Sequence, residues 1–120
     1  IVIDDTQKFQ TVDGFGYTLT GGSVEVINQL SAVKRKELLE ELFGKSGKSI
    51  SVSYLRLSIG ASDLDSDVFS YNDLPAGQTD ENLTKLSLAK DAKLILMLKE
   101  IHLKVRKLMR IHIQFQMLLN

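Results

Sequence analysis

One apolar run and the loop that follows it carry charged side chains in positions where they could do chemistry. Arg56 lies inside the run Tyr-Leu-Arg-Leu-Ser-Ile (residues 54–59), which ends abruptly at Gly60. A guanidinium keeps its proton and is costly to bury unpaired, so this position predicts a fixed acidic or carbonyl partner. The next segment, residues 61–82, contains no Lys or Arg and is called the acidic loop below. Its six carboxylates are Asp63, Asp65, Asp67, Asp73, Asp80 and Glu81.

The spacing of these carboxylates does not fit a known calcium loop. Asp63, Asp65 and Asp67 alternate as in an EF-hand, but Val68 stands where that loop needs glycine and Leu74 where it needs a bidentate glutamate. Calcium stays open as an alternative, whereas the sequence itself predicts no metal site and no cofactor. Asp65, Asp67 and Asp73 are interpreted as solvated loop residues.

Composition excludes several further function classes. The chain has 120 residues, with 43% hydrophobic and 25% charged residues, which is ordinary for a globular protein. Fifteen basic and fifteen acidic residues give a formal net charge of zero, which argues against a general nucleic-acid binder. There is no cysteine, and hence no disulfide, no thiolate chemistry and no Cys-based zinc site. No apolar run is long enough to predict a transmembrane segment.

The elements that must position the candidate residues alternate between strand and helix. Residues 1–3 and 9–12 have the composition of short strands, and residues 13–16 (Asp-Gly-Phe-Gly) predict a tight, glycine-permitted turn. Ser31 is a suitable N-cap for a helix that Gly44 would end. The apolar face of that helix is predicted to consist of Val33, Leu38, Leu39, Leu42 and Phe43.

A second helix is predicted over residues 88–102 with Ser87 as its cap, because apolar residues recur there at helical spacing. Its inward residues would be Leu88, Ala92, Ile95, Leu98 or Met97, and Ile101. Residues 111–117 alternate apolar and polar side chains and predict a last strand, although a helix through Leu108 and Met109 is an alternative. Strands that alternate with helices of this length indicate parallel βαβ units and an α/β fold.

Several segments together resemble glycoside hydrolase family 30, the glucosylceramidase-like enzymes. Residues 10–16 (Gln-Thr-Val-Asp-Gly-Phe-Gly) and 20–23 (Thr-Gly-Gly-Ser) are similar to the start of the family's catalytic domain. Residues 55–63 (Leu-Arg-Leu-Ser-Ile-Gly-Ala-Ser-Asp) are similar to a second family segment, which continues through residues 69–71 and 86–91. The likeness covers roughly residues 7 to 102.

The resemblance implies a fold, an activity and a division of the chain. Residues 1–9 would form a β segment of the family's β-sandwich, and residues 10–102 the first two βα units of a (β/α)8 TIM barrel. The family consists of retaining β-glycosidases, whose two catalytic glutamates lie on later barrel strands. The resemblance therefore implies a carbohydrate or glycolipid substrate and no catalytic residue within this chain, which would be inactive alone.

Two residues take supporting roles by the same resemblance. Arg56 matches the family's strand-two arginine near the nucleophile, where a positive charge keeps a carboxylate ionised. Asp63 matches a loop aspartate that accepts hydrogen bonds from sugar hydroxyls. Leu64 stands where an aromatic residue commonly follows that aspartate. The family enzymes of this type are commonly exported, so a secreted or periplasmic location is expected.

The last part of the chain departs from the family pattern. Residues 103–120 contain no Trp, Pro or Gly, and the family's Ser-Pro-Trp strand is missing. We interpret this tail as the product of a shifted reading frame or a wrong exon boundary, and the chain as a mature protein or a fragment. The alternative function is a small α/β binding module that uses the acidic loop.

Overall fold

The computed structural model describes residues 1–12, 14–104 and 110–115, and of residues 104 and 110–115 it describes the backbone alone. Within these residues, three strands and three α-helices follow one another, with two helices between the first two strands and one helix between the last two. The strands are β1 (Gly16–Thr18), β2 (Tyr54–Ile59) and β3 (Arg110–Phe115). The helices are α1 (Gly21–Asn28), α2 (Ala32–Phe43) and α3 (Ala92–Lys104), the last preceded by a 3-10 turn at Ala89–Asp91.

The three strands form one parallel sheet in which spatial order follows chain order, β1-β2-β3. Thr18 of β1 and His112 of β3 both pair in register with Arg56 of β2. Helices fill both connections, as parallel neighbours require. The predicted α/β fold with parallel βαβ units is confirmed by this arrangement. The strand predicted at residues 111–117 is confirmed over 110–115, and residues 116–120 and the alternative helix at Leu108 and Met109 lie outside the described residues.

The hydrophobic core lies between the helices and one face of the sheet. Leu55 and Leu57 of β2 are both buried, and they pack in the same cluster as side chains from all three helices. Each fully buried large apolar side chain removed from water stabilises the fold by roughly 1.5–3 kcal/mol. The other members of the cluster are Leu19, Val24, Leu39, Phe43, Val52, Leu94, Met97 and Ile101.

None of the described helices packs against the opposite face of β2. Side chains alternate between the faces of a strand, so Arg56 points away from the core that Leu55 and Leu57 enter. Arg56 is exposed, and no hydrogen bond or ion pair of its side chain is found among the described residues. Arg56 is thus exposed and not buried in this structure, and the predicted acidic or carbonyl partner is not among the described residues, so that partner stays a prediction.

Helix α2 begins and ends where the sequence predicts. The Ser31 hydroxyl accepts a hydrogen bond from Lys34 N at 3.3 Å, and Gly44 follows the last turn. Leu39 and Phe43 are buried and Leu38 and Leu42 half-buried, as expected for the apolar face. Val33 is 66% exposed, so its assignment to that face is wrong. It lies on the first turn of the helix, whose buried residues, Leu39 and Phe43, come later.

The other two helices differ from the predictions. Helix α1 was not predicted, because its sequence, Gly-Gly-Ser-Val-Glu-Val-Ile-Asn, starts with two residues of poor helix propensity. Thr20 caps it by accepting a hydrogen bond from Ser23 N. Helix α3 begins at Ala92 rather than Leu88, and Leu88 and Ala92 are exposed. The inward side chains of α3 are Leu94, Met97 and Ile101, with Ile95 and Leu98 half-buried.

The segment before β1 departs most from the expectation. Residues 1–12 contain no strand, so the strands predicted at 1–3 and 9–12 are wrong. A strand needs a neighbour for its N–H and C=O groups, and none of the described strands pairs with this segment. Gly16 is the first residue of β1, and the turn predicted over residues 13–16 includes Asp13, which lies outside the described residues. The assignment of residues 1–9 to a β-sandwich stays a prediction.

Gly16 is required by close approach of two backbones. A Cβ atom placed on Gly16 would overlap the carbonyl oxygen of Tyr54 on the neighbouring strand. We therefore expect Gly16→Ala to separate β1 from β2 and to lower the free energy of unfolding by about 2 kcal/mol or more, measured by urea denaturation. Gly47→Ala is the control, because a Cβ there meets nothing within 4 Å and should be neutral or slightly stabilising. Equal stability of the two variants would contradict the prediction.

Candidate functional site

The two predicted site residues lie on and just beyond the central strand. Arg56 is the third residue of β2, on the face that bears no helix. Asp63 follows the strand after the sharp bend at Gly60, whose φ of 76° is strained for any residue with a Cβ. Ala61 N then donates a 3.0 Å hydrogen bond to Phe69 O, which closes the start of the acidic loop. Asp63 is therefore at the carboxyl end of the parallel sheet, where ligands of α/β proteins bind.

A compact turn presents Asp63. Ser62 N and Ser62 Oγ each donate a 2.7 Å hydrogen bond to Asp65 Oδ2, and Asp65 N donates a 3.2 Å hydrogen bond to Ser62 O. We call this turn, residues 62–65, the first clasp. Ser62 is buried and Asp65 half-buried, whereas Asp63 and Leu64 between them are exposed. The clasp thus fixes the backbone on both sides of an exposed carboxylate.

The first clasp rests on the start of helix α1. The Gly21 Cα is so close to Asp65 Oδ1 that a Cβ there would overlap the carboxylate. A Cβ on Gly22 would likewise overlap the carbonyl oxygen of Leu64. The glycines that weaken the helix are therefore what lets the loop approach it. Carboxylates are also favoured at a helix N-terminus by the helix dipole.

A second clasp, residues 70–73, repeats the pattern of the first. Ser70 N and Ser70 Oγ donate hydrogen bonds of 3.0 and 2.6 Å to Asp73 Oδ1. Lys90 Nζ adds an ion pair of 2.6 Å to Asp73 Oδ2 and also lies 5.3 Å from the centre of the Phe69 ring. The hydrogen bond from Lys90, followed by those from Ser70, lowers the pKa of Asp73 to about 2. The second clasp is thereby tied to the turn that precedes α3.

A tyrosine–carboxylate pair makes a partly buried contact between the acidic loop and the turn before α3. The Tyr71 hydroxyl donates a hydrogen bond to the carboxylate of Asp91, whose residue is only 9% exposed. Burial, and then the hydrogen bond to Asp91, raises the pKa of Tyr71. The sequence alone did not single out Asp91. A Tyr in the middle of an acidic loop, needing a partner for its hydroxyl once buried, was the available signal.

The far end of the loop is held by local turns. Gln78 N donates a 3.1 Å hydrogen bond to Pro75 O, and Gly77 adopts a φ of 80°. Asp80 accepts hydrogen bonds from Thr84 N at 3.0 Å and from Lys85 N at 2.7 Å. The Lys85 backbone hydrogen bond is the largest of the interactions that lower the pKa of Asp80.

Several loop carboxylates therefore have structural partners. Asp65 is half-buried, which corrects its interpretation as a solvated residue, whereas Asp73 is exposed as predicted and in addition pairs with Lys90 and Ser70. Asp67 is exposed, and the hydrogen bond found for its side chain among the described residues comes from the adjacent Ser66 Oγ at 3.2 Å. Within the described residues, no partner is found for the Asp63 side chain. The binding-module alternative thus has fewer available carboxylates than the sequence suggested. No group of three or more His, Asp or Glu side chains suited to a metal ion occurs in the described part of the chain.

Asp63 lines an open groove of about 700 Å³ between α1 and the first clasp. The groove walls include Thr20 and Ser23 at the start of α1 and the exposed Leu64. A carboxylate beside hydroxyl groups can accept and donate several hydrogen bonds to one polar ligand. Among the described helices, none is long and apolar enough to cross a membrane.

Comparison with known proteins shows that the chain is similar to part of several glycoside hydrolases. An endo-1,6-β-D-glucanase of Trichoderma harzianum is 39% identical over 89 residues, covering 72% of this chain and 18% of that protein. An endo-1,6-β-D-glucanase of Neurospora crassa is 36% identical over 91 residues, covering 73% of this chain and 18% of that protein. A putative glucosylceramidase of Caenorhabditis elegans is 29% identical over 87 residues, which is 71% of this chain and 16% of that protein.

A solved endo-β1,6-glucanase has a similar fold. It superposes with a TM-score of 0.77 on 95% of this chain and 24% of its own length, at 22% sequence identity. No family model matches the sequence. The resemblance to glycoside hydrolase family 30 is nevertheless confirmed by the relatives and the shared fold. The chain spans less than a fifth of the length of the relatives it matches in sequence.

The ion pair of the second clasp predicts a pH-dependent contribution to stability. Because the pKa of Asp73 is lowered from 3.8 to about 2, this contribution is present above pH 3.8 and is lost as the pH falls towards 2. We expect Lys90→Met to raise the pKa of Asp73, measured by NMR titration of its carboxyl carbon. Lys93→Met is the control, since Lys93 pairs with Glu25 instead. An unchanged pKa in the Lys90 variant would contradict the assignment.

Removal of the Tyr71 hydroxyl should loosen the acidic loop. Tyr71→Phe leaves the buried Asp91 carboxylate without its hydrogen-bond donor, which is expected to lower the free energy of unfolding by about 1–3 kcal/mol. Tyr17→Phe is a matched control, because Tyr17 contacts Phe43 through its ring and that contact is retained. Chemical denaturation of both variants measures the difference. A loss in Tyr71→Phe no larger than in Tyr17→Phe would show that the pair does not anchor the loop.

Proposed function

We propose that this chain is the N-terminal part of a retaining β-glycosidase that hydrolyses β-glucosidic bonds. The observation that carries the proposal is the exposed Asp63, held by the first clasp at the carboxyl end of a parallel sheet, in a chain whose relatives are glycoside hydrolases. The sheet would form the first three strands of a (β/α)8 barrel. Its sequential order β1-β2-β3, with helices on one face, is what such a barrel requires.

In this barrel the helix-free face of the sheet would line the interior. Arg56 would then point towards the catalytic centre, and its exposure in the present chain follows from the missing strands that complete the wall. The family's nucleophile and acid/base glutamates would come from those strands. A retaining mechanism needs the two carboxyl groups about 5 Å apart on opposite sides of the scissile bond. The guanidinium of Arg56 would hold the nucleophile in its ionised form.

Asp63 would bind the sugar through two of its hydroxyl groups. An ionised carboxylate has two acceptor oxygens and makes stronger hydrogen bonds than a neutral acceptor. Leu64, next to Asp63, supplies an apolar contact where an aromatic residue commonly stacks on the sugar ring. There are two candidate substrate classes, a β-1,6-linked glucan and a glucosylceramide-like glycolipid. The more similar relatives are named as endo-1,6-β-D-glucanases, and we propose the glucan as the first substrate to test.

The same proposal has two further consequences. The chain by itself should not hydrolyse glycosides, because it would contribute binding and positioning residues without either catalytic glutamate. The complete enzyme would be secreted or periplasmic, as is common in the family. The shifted-frame interpretation of residues 103–120 also stays a hypothesis. Strand β3 lies in that tail and pairs with β2 in parallel register.

A chimaera tests the function directly. The matched 89-residue stretch of the Trichoderma harzianum endo-1,6-β-D-glucanase is replaced by the corresponding residues of this chain, and hydrolysis of a β-1,6-linked glucan is measured. The parent chimaera should be active, and Asp63→Ala should lower kcat/KM about 100-fold or more through two lost charged hydrogen bonds. The control is Asp67→Ala, a nearby exposed carboxylate, which should change kcat/KM by less than about threefold.

The role of Arg56 can be tested in the same chimaera through the pH dependence of kcat/KM. Arg56→Met should move the acidic limb of the kcat/KM profile to higher pH, because the nucleophile loses the positive charge that lowers its pKa. Turnover of the unfused 120-residue chain that depends on Asp63 would overturn the inactive-fragment proposal. Equal activity of the Asp63→Ala and Asp67→Ala chimaeras would overturn the role of Asp63.

A further inference from the structure

We propose that Asp65 is a positioning residue for Asp63, so that the sugar contact depends on a carboxylate that does not itself touch the substrate. The inference rests on the function proposed above. Asp63 and Leu64 occupy the two central positions of the first clasp, and Asp65 closes it. The geometry points to different roles for two acidic residues that are two positions apart. Asp65 holds the turn, and Asp63 contacts the sugar.

The two carboxylate oxygens of Asp65 make different contacts. Oδ2 accepts from both Ser62 N and Ser62 Oγ at 2.7 Å, which fixes the residue before Asp63. Oδ1 lies against Gly21 at the start of α1, which fixes the clasp relative to the sheet and helices. Asp65 is half-buried and Ser62 buried, so these contacts are shielded from competing water. The position of Asp63 is therefore fixed by Asp65 and α1, since no partner of its own side chain is found among the described residues.

The second clasp provides an internal comparison. Ser70 and Asp73 make the same pair of serine-to-aspartate hydrogen bonds, eight residues further along the same loop. The residues enclosed by this clasp are Tyr71 and Asn72, and neither Asp63 nor Leu64 lies within it. A purely structural role for Asp65 would give Asp65→Ala and Asp73→Ala similar consequences. A positioning role makes Asp65→Ala the more damaging change for sugar binding.

Asp65 also explains why the helix start carries two glycines. Any side chain at Gly21 would displace the Asp65 carboxylate, and any side chain at Gly22 would displace the Leu64 carbonyl. Both displacements would move the turn that presents Asp63. The Gly-Gly pair at the start of α1 and the Ser-Asp-Leu-Asp turn thus form one structural unit, although they lie far apart in the sequence.

The test is a double-mutant cycle in the active chimaera. Asp65→Ala should lower kcat/KM about 100-fold, the cost typical of a displacement near 1 Å at a binding group. In the Asp63→Ala background the same substitution should have almost no further effect, because the residue it positions is already gone. Asp73→Ala should stay within about threefold in both backgrounds. Asp65→Asn, whose amide oxygen can still accept from Ser62, should recover most of the loss.

The outcomes separate the two proposals. If Asp63→Ala is harmless, the function proposed for Asp63 fails and the positioning inference fails with it. If Asp63→Ala is damaging but Asp65→Ala lowers kcat/KM equally in both backgrounds, or no more than Asp73→Ala does, the positioning inference alone is overturned.

Hydrogen exchange gives a second measurement that does not depend on activity. In the 120-residue chain, the Ser62 amide should exchange faster in Asp65→Ala than in Asp73→Ala, because Asp65 Oδ2 is its acceptor. Faster exchange confined to Ser62 and its neighbours supports the clasp. Unchanged exchange of this amide overturns it, whatever the kinetics show.

Discussion

The decisive constraint in this structure is that the described helices all pack on one face of β2. Leu55 and Leu57 are buried beneath the helices, and the pleat of the strand then forces Arg56 to the opposite side. Parallel sheets are ordinarily covered on both faces, so the second face, which none of the described helices covers, is open to a further packing layer. The position of the Arg56 guanidinium therefore follows from the packing of the core on the other face. Its chemistry depends on the groups that cover its own face of the sheet.

The sequence predicted best where the structure depends on local chemistry. Helix α2 could be placed from Ser31 and Gly44, and β2 from an apolar run that stops at Gly60. The family resemblance was recognisable because the loop motif and the glycine motif are local patterns of unusual composition. The position of Asp63 at the carboxyl end of the sheet follows from the same patterns.

The misses came from interactions between distant segments. Helix α1 was hidden because Gly21 and Gly22, which look like helix breakers, are required by a loop more than forty residues later. The structural roles of Asp65 and Asp73 were missed because a run of carboxylates resembles a solvated surface until its donors are known. Residues 1–12 have the composition of strands, but a strand also needs a neighbour, which composition cannot supply.

The turn at Pro75–Gln78 has a consequence for how such a loop can diversify. It lies between the second clasp and the Asp80 turn, a Cβ placed on its Gly77 would meet nothing within 4 Å, and its hydrogen bond is local. Chain length can therefore change at this tip without moving the residues that hold Asp63. The loop thus combines a fixed part, the two clasps, with a tip whose length is free to vary. Insertions at this tip would change how far the loop extends while the turn that presents Asp63 keeps its place.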